Sequence, residues 1–197
     1  MRLGTSVAIL SGAALALYGI PARAQGLLYG QQHAKHYTNS LAPYVVSPQQ
    51  IVDRMLEIAD LKPGETVYDL GSGDGRILIT AVQRFHAKAV GIEISDALVE
   101  STTERIQRLG LQNDARVVHA DFLTVDLGPA DVVTMYLATD TNEMVRPNLE
   151  KYLKRGARVV SHDYAVPGWK PKLVDKDLKE ARGHIIYLYE MPPTPKK

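Results

Sequence analysis

Everything else in this 197-residue chain has to accommodate the run Thr66–Arg76. Strand-forming residues, Thr66-Val67-Tyr68-Asp69-Leu70, lead straight into Gly71-Ser72-Gly73-Asp74-Gly75. A helical pattern then begins at Arg76, with Leu78, Val82 and Phe85 on one face. Glycines at alternate positions let a backbone turn sharply and approach a ligand closely. In an open α/β sheet such a loop lies at the carboxyl ends of the strands, where ligands bind. Glu93, at the end of the next apolar run, stands 20 residues after Gly73. A carboxylate at that place takes both ribose hydroxyls of a nucleoside.

The rest of the chain alternates. After Pro48, Ile51, Met55 and Ile58 recur at helical spacing, with Ser47 placed as N-cap. Apolar strands are expected at 89–92, 116–119, 131–137 and 157–161, with helices after Ser95 and over 140–152. Pro147 predicts a kink in the last of these helices, or a split into two. Two β-like runs, around Leu173-Val174 and at Ile185–Tyr189, close the pattern. The fold class that follows is α/β: a Rossmann-like doubly wound, mostly parallel seven-stranded sheet with an antiparallel edge strand.

Two cofactors compete for the loop. A dinucleotide fold asks for G-x-G-x-x-G, whereas the spacing here is G-x-G-x-G, with Arg76 where the third glycine would stand. Asp69, immediately before the loop, suits the sulfonium and amino group of S-adenosylmethionine and would repel a pyrophosphate. The predicted cofactor site is therefore Asp69, Gly71, Ser72, Gly73, Gly75 and Glu93. Asp121 and Phe122, after the third strand, add a partner for the adenine amino group and a cover for its ring.

The ends read differently. Arg2, the apolar run Val7–Ile20 and Ala22-Arg23-Ala24 make up the three parts of an export signal over 1–24. This implies an exported or periplasmic protein, or a membrane-anchored one if the signal is left uncleaved. Residues 25–47 form an arm, 48–191 the methyltransferase-like domain, and 192–197 a frayed tail. Two of the 23 Lys and Arg, Arg2 and Arg23, fall in the signal, leaving 21 against 22 Asp and Glu. That balance offers no broad nucleic-acid surface. With no cysteine there is no disulfide, thiolate metal site or cysteine nucleophile. His33 and His36 lie on the arm without an acidic partner, and no metal is expected. A monomer is expected.

The loop Asp69–Arg76 with Glu93 resembles the first motif and ribose acid of the class I (seven-strand) S-adenosylmethionine-dependent methyltransferases. Three further segments, Pro43–Pro48, Gly156–Ser161 and Trp169-Lys170-Pro171, resemble the protein-lysine methyltransferases that modify the ATP synthase c subunit, and their bacterial relatives. The resemblance spans about Tyr44 to Glu190. It implies N-methylation of an accessible lysine in a protein substrate, with membrane-associated proteins among the candidates.

The acceptor side is expected to draw on Tyr136, which ends the fourth strand, and on His162, which follows the fifth beside Asp163. Tyr44 and Ser47 would lid the cofactor from the arm. The Asn/Asp-Pro-Pro-aromatic run common in amide and adenine N-methyltransferases is absent from Met135–Thr139. A small-molecule or RNA methyltransferase, an exported cofactor-fold protein without catalysis, and an NAD-dependent oxidoreductase stand as the alternatives.

Overall fold

The computed structural model describes residues 44–176 and 183–195. The expected signal over 1–24 and the arm up to residue 43, with His33 and His36, lie outside the described residues.

Helix α1 (Gln49–Ile58) follows Pro48, whose φ of −54° already suits a helix entrance, and buries Ile51, Val52, Met55 and Leu56. Strand β1 (Thr66–Leu70) and α2 (Arg76–Phe85) flank the glycine loop. Then come β2 (Lys88–Glu93), α3 (Asp96–Arg108), β3 (Ala115–His119), β4 (Val132–Met135), α4 (Thr139–Tyr152) and β5 (Arg158–His162). The last part holds β6 (Trp169–Lys170), β7 (Leu173–Asp175), β8 (Ile186–Glu190) and β9 (Thr194–Pro195).

Seven strands form one sheet in the order β3-β2-β1-β4-β5-β8-β7. Strands β1 to β5 pair in parallel. The expected antiparallel strand is β8, which runs against β5 on one side and β7 on the other, so the short β7 forms the outermost edge. The sheet order reverses between β1 and β4, and open α/β sheets bind ligands at such a switch point. Successive side chains of a strand face opposite ways. Val67 accordingly joins Ile51, Met55, Leu78 and Ile106 of the helices on one face, while Tyr68 and Leu70 join Val145 and Leu149 of α4 on the other.

Three local expectations are corrected. Helix α4 is one element from Thr139 to Tyr152 with Pro147 inside it, and not two short helices. The buried residues Thr141, Asn142, Val145 and Leu149 hold one face of it against the sheet across the proline, so packing overrides local propensity. Ser47 does not cap α1, because Pro48 occupies the cap position and the Ser47 hydroxyl bonds elsewhere. The tail is ordered through Pro195, since Thr194–Pro195 pairs antiparallel with Trp169–Lys170.

Candidate active site

The loop between β1 and α2 is shaped by backbone geometry that glycine tolerates best. Gly73 and Gly75 have φ of +52° and +74°. A Cβ on Gly75 would stand 2.4 Å from Thr102 Cγ2 of α3, and one on Gly73 would stand 2.7 Å from the Tyr44 ring. Helix α3 therefore packs directly on the loop, where the Thr102 hydroxyl also donates to the Gly73 carbonyl at 2.7 Å. The Tyr44 ring covers the loop from the arm.

Asp69 is buried at the end of β1 and accepts a hydrogen bond from the Thr134 hydroxyl of β4 at 2.8 Å. Burial pushes its carboxyl up to about 8, and the nearby carboxylates of Glu93 and Asp74 push the same way against the Thr134 bond. A buried carboxylate among carboxylates is a receptor for a cation. The sulfonium and ammonium of S-adenosylmethionine fit that need, and the two phosphates of a dinucleotide do not.

Glu93 is fixed by three backbone N–H groups. Gly73 donates to Oε2, while Ile94 and Ser95 donate to Oε1, each at 2.9 Å. A carboxylate offers about four acceptor positions. One therefore remains, on Oε2, facing the loop side where a ribose hydroxyl would be received. Ser72 turns its side chain toward the sheet. Its hydroxyl is buried without a hydrogen-bond partner, packed against Gly91 of β2, where a Cβ would stand 2.4 Å from Ser72 Oγ. Ser72 thus seats the loop on β2, and Gly91 is required for that contact. Asp121 and Phe122 follow β3, next to Glu93 in register through the Ala120 N–H to Glu93 carbonyl bond. Asp121 Oδ1 accepts the Leu123 N–H at 2.9 Å, which leaves Oδ2 for an adenine amino group. Phe122 is half-buried beside the core.

On the acceptor side, Tyr136 and His162 come together, with ring centroids 3.9 Å apart. Tyr164 lies 6.2 Å from Tyr136. The Tyr136 hydroxyl donates to Asp163 Oδ2 at 3.1 Å. His162 is fully buried. Desolvation pushes it down to about 4, with the Asp163 carboxylate opposing and His184 reinforcing the shift, so it is a neutral imidazole at neutral pH. His162 has no exposed surface in this structure and meets Tyr136, Asp163 and His184.

The arm joins the two halves of the site. Ser47 Oγ lies 2.8 Å from His162 Nδ1, and the Ser47 carbonyl accepts from Arg76 at 2.7 Å. Arg76 in turn forks onto the Asp74 carboxylate of the loop. Two contributors escaped the sequence reading. His184, just before β8, meets His162 and Asp163. Asn142 of α4 is buried and donates to Ser161 Oγ and to the Tyr164 carbonyl, holding the turn after β5. Neither belongs to a sequence motif. A helical asparagine on a buried face was the only available signal.

A sequence model of the ANTKMT methyltransferase domain matches residues 69–173. The chain is 48% identical over 148 residues to a protein-lysine N-methyltransferase of Saccharolobus islandicus (strain REY15A), covering 75% of this chain and 92% of that protein. It is 33% identical to the adenine nucleotide translocase lysine N-methyltransferase of Mus musculus, over 67% of this chain and 57% of that protein. Among solved structures, an RNA methyltransferase from Salinibacter ruber in complex with S-adenosyl-L-homocysteine superposes with a TM-score of 0.72. That match has 37% identity and covers 78% of this chain and 97% of that one.

Proposed function

The chain belongs to the ANTKMT methyltransferase-domain family, and on that premise we propose that it transfers the methyl group of S-adenosylmethionine to the side-chain amine of a lysine in a protein substrate. The observation that carries this reading is the buried Asp69 carboxylate beside the glycine loop, raised to about 8 and surrounded by further acids. The lysine acceptor is supported by the names of the Saccharolobus and mouse relatives.

The cofactor, when bound, supplies an electrophilic methyl on a sulfonium that is already a good leaving group. The chain's own residues supply position and dryness, the main resources for an in-line displacement. Asp69 receives the positive end of the cofactor and Glu93 Oε2 a ribose hydroxyl. Asp121 Oδ2 and Phe122 take the adenine edge and face. Tyr44 closes over Gly73. A lysine has an ordinary pKa near 10.4 and must shed a proton before it attacks. The Tyr136 and Tyr164 rings form an aromatic wall that desolvates the incoming amine, which favours its neutral form.

The Salinibacter ruber relative is an RNA methyltransferase, which favours RNA as a second acceptor class. One experiment separates the two. The purified protein is incubated with labelled S-adenosylmethionine and, in parallel, with membrane proteins, secreted proteins and RNA from its host. Label on protein lysine, located by mass spectrometry and lost in Asp69→Ala, is the expected result. Label on RNA with none on protein overturns the lysine reading. We also propose export through residues 1–24, which places the substrate at or beyond the membrane. Fractionation with N-terminal sequencing tests this, and an intact Met1 on protein confined to the cytosol contradicts it.

A further inference from the structure

Three side chains after β5 and before β8 turn lone-pair atoms toward one another. His162 Nε2 lies 2.9 Å from His184 Nδ1 and 3.5 Å from Asp163 Oδ2, and His184 Nδ1 lies 3.0 Å from the same Asp163 oxygen. The other polar atoms of two of them are already committed. His162 Nδ1 is bonded to Ser47 Oγ, and Asp163 Oδ1 accepts the Ile185 N–H at 2.9 Å. Two ring nitrogens and a carboxylate oxygen that also accepts from the Tyr136 hydroxyl thus face one another.

We propose that His162, Asp163 and His184 form a binding site for one divalent transition-metal cation of the zinc type. Ligand bonds to such an ion are about 2.1 Å long. At that length the three separations correspond to angles of roughly 90 to 115° at a shared ion. These values span the octahedral and tetrahedral angles. The surrounding bonds fit the role. A ligating imidazole ordinarily has its second nitrogen hydrogen-bonded, as His162 does to Ser47. Asp163 Oδ2 keeps a lone pair for the Tyr136 hydroxyl while the other faces the ion. Asp163 also sits at φ +61°, in the left-handed region. A non-glycine residue persists there where the surroundings demand it.

An ion at this point would pin the end of β5 to the approach of β8 and, through Ser47, anchor the arm that covers the glycine loop. The site stands apart from the cofactor reading, and its test does not depend on methyl transfer.

Tag-free full-length protein is stripped with a chelator and titrated with zinc chloride by calorimetry. Metal content as purified is measured in parallel. The expected result is saturable uptake of one zinc per chain, weakened at least tenfold in both Asp163→Asn and His184→Gln. His33→Gln/His36→Gln, which removes two histidines that the proposal does not use, should leave the affinity unchanged. Cooperative thermal unfolding shows that each variant is folded, and S-adenosylhomocysteine binding is followed separately, so failure of this site and failure of the methyltransferase reading are distinguishable. No saturable uptake by folded protein overturns the proposal. So does uptake that survives both Asp163→Asn and His184→Gln.

Discussion

Asp69 is the residue whose environment says most about its partner. Its carboxyl titrates near 8 in the free protein because burial disfavours the charge and Glu93 and Asp74 add repulsion. The pH consequence follows from the direction of the shift. The folded state holds this proton more tightly than the unfolded state, whose aspartate titrates near 3.8. The contribution to stability is full below that value, falls as pH rises through the window from about 3.8 to about 8, and is gone above it. A cationic ligand favours the ionised form, so binding expels the proton. Affinity for S-adenosylmethionine should fall toward tenfold per pH unit below about 8, and the calorimetric heat should vary with the ionisation enthalpy of the buffer. A buffer-independent heat with flat affinity between pH 6 and 8 would contradict this. Asp69, Gly73, Gly75 and Glu93 were legible in the sequence because a strand, a loop and the next strand fix them within 25 residues. Ser47 was misread because its true partner, His162, lies 115 residues away. His184 carries no local pattern at all.

Among elements, the junction of α1, β1 and β5 shows how tertiary contacts hold what propensity alone would leave loose. Arg158, the first residue of β5, donates from Nε to the Ala59 carbonyl at the end of α1 and forks onto Glu65 just before β1. The fork is mostly buried, at 17% and 23% side-chain exposure. Arg158→Ala removes charge-assisted bonds and strands the Glu65 carboxylate, at an expected cost of about 2–4 kcal/mol. For a domain of this size that lowers Tm by roughly 5–15 °C in a thermal melt. Arg158→Lys should recover less than half of the loss, since an ammonium cannot reproduce the planar fork. Full recovery by lysine would mean that charge alone matters there. Strand and helix identities were readable at this scale from hydrophobic period. The continuity of α4 through Pro147 was not, because the buried face of that helix and the sheet it packs on are properties of the assembled fold.

For the whole molecule, alternating strands and helices predicted a parallel sheet with one antiparallel member, and the reversal of strand order between β1 and β4 sets the glycine loop where a ligand crosses. What alternation could not reveal is that β8 enters between β5 and β7. A nascent chain therefore completes five parallel strands and then exposes the backbone edge of β5 until residues 186–190 emerge. An open edge of Val159 and Val160 invites pairing with another chain. A chain ending at residue 182 should accordingly scatter light and pellet on centrifugation, whereas the intact protein stays monodisperse. A soluble, monodisperse truncation would refute this. Strand β8 thus acts as the molecule's own chaperone for β5, and any delay in its arrival lengthens the time in which the sheet is sticky.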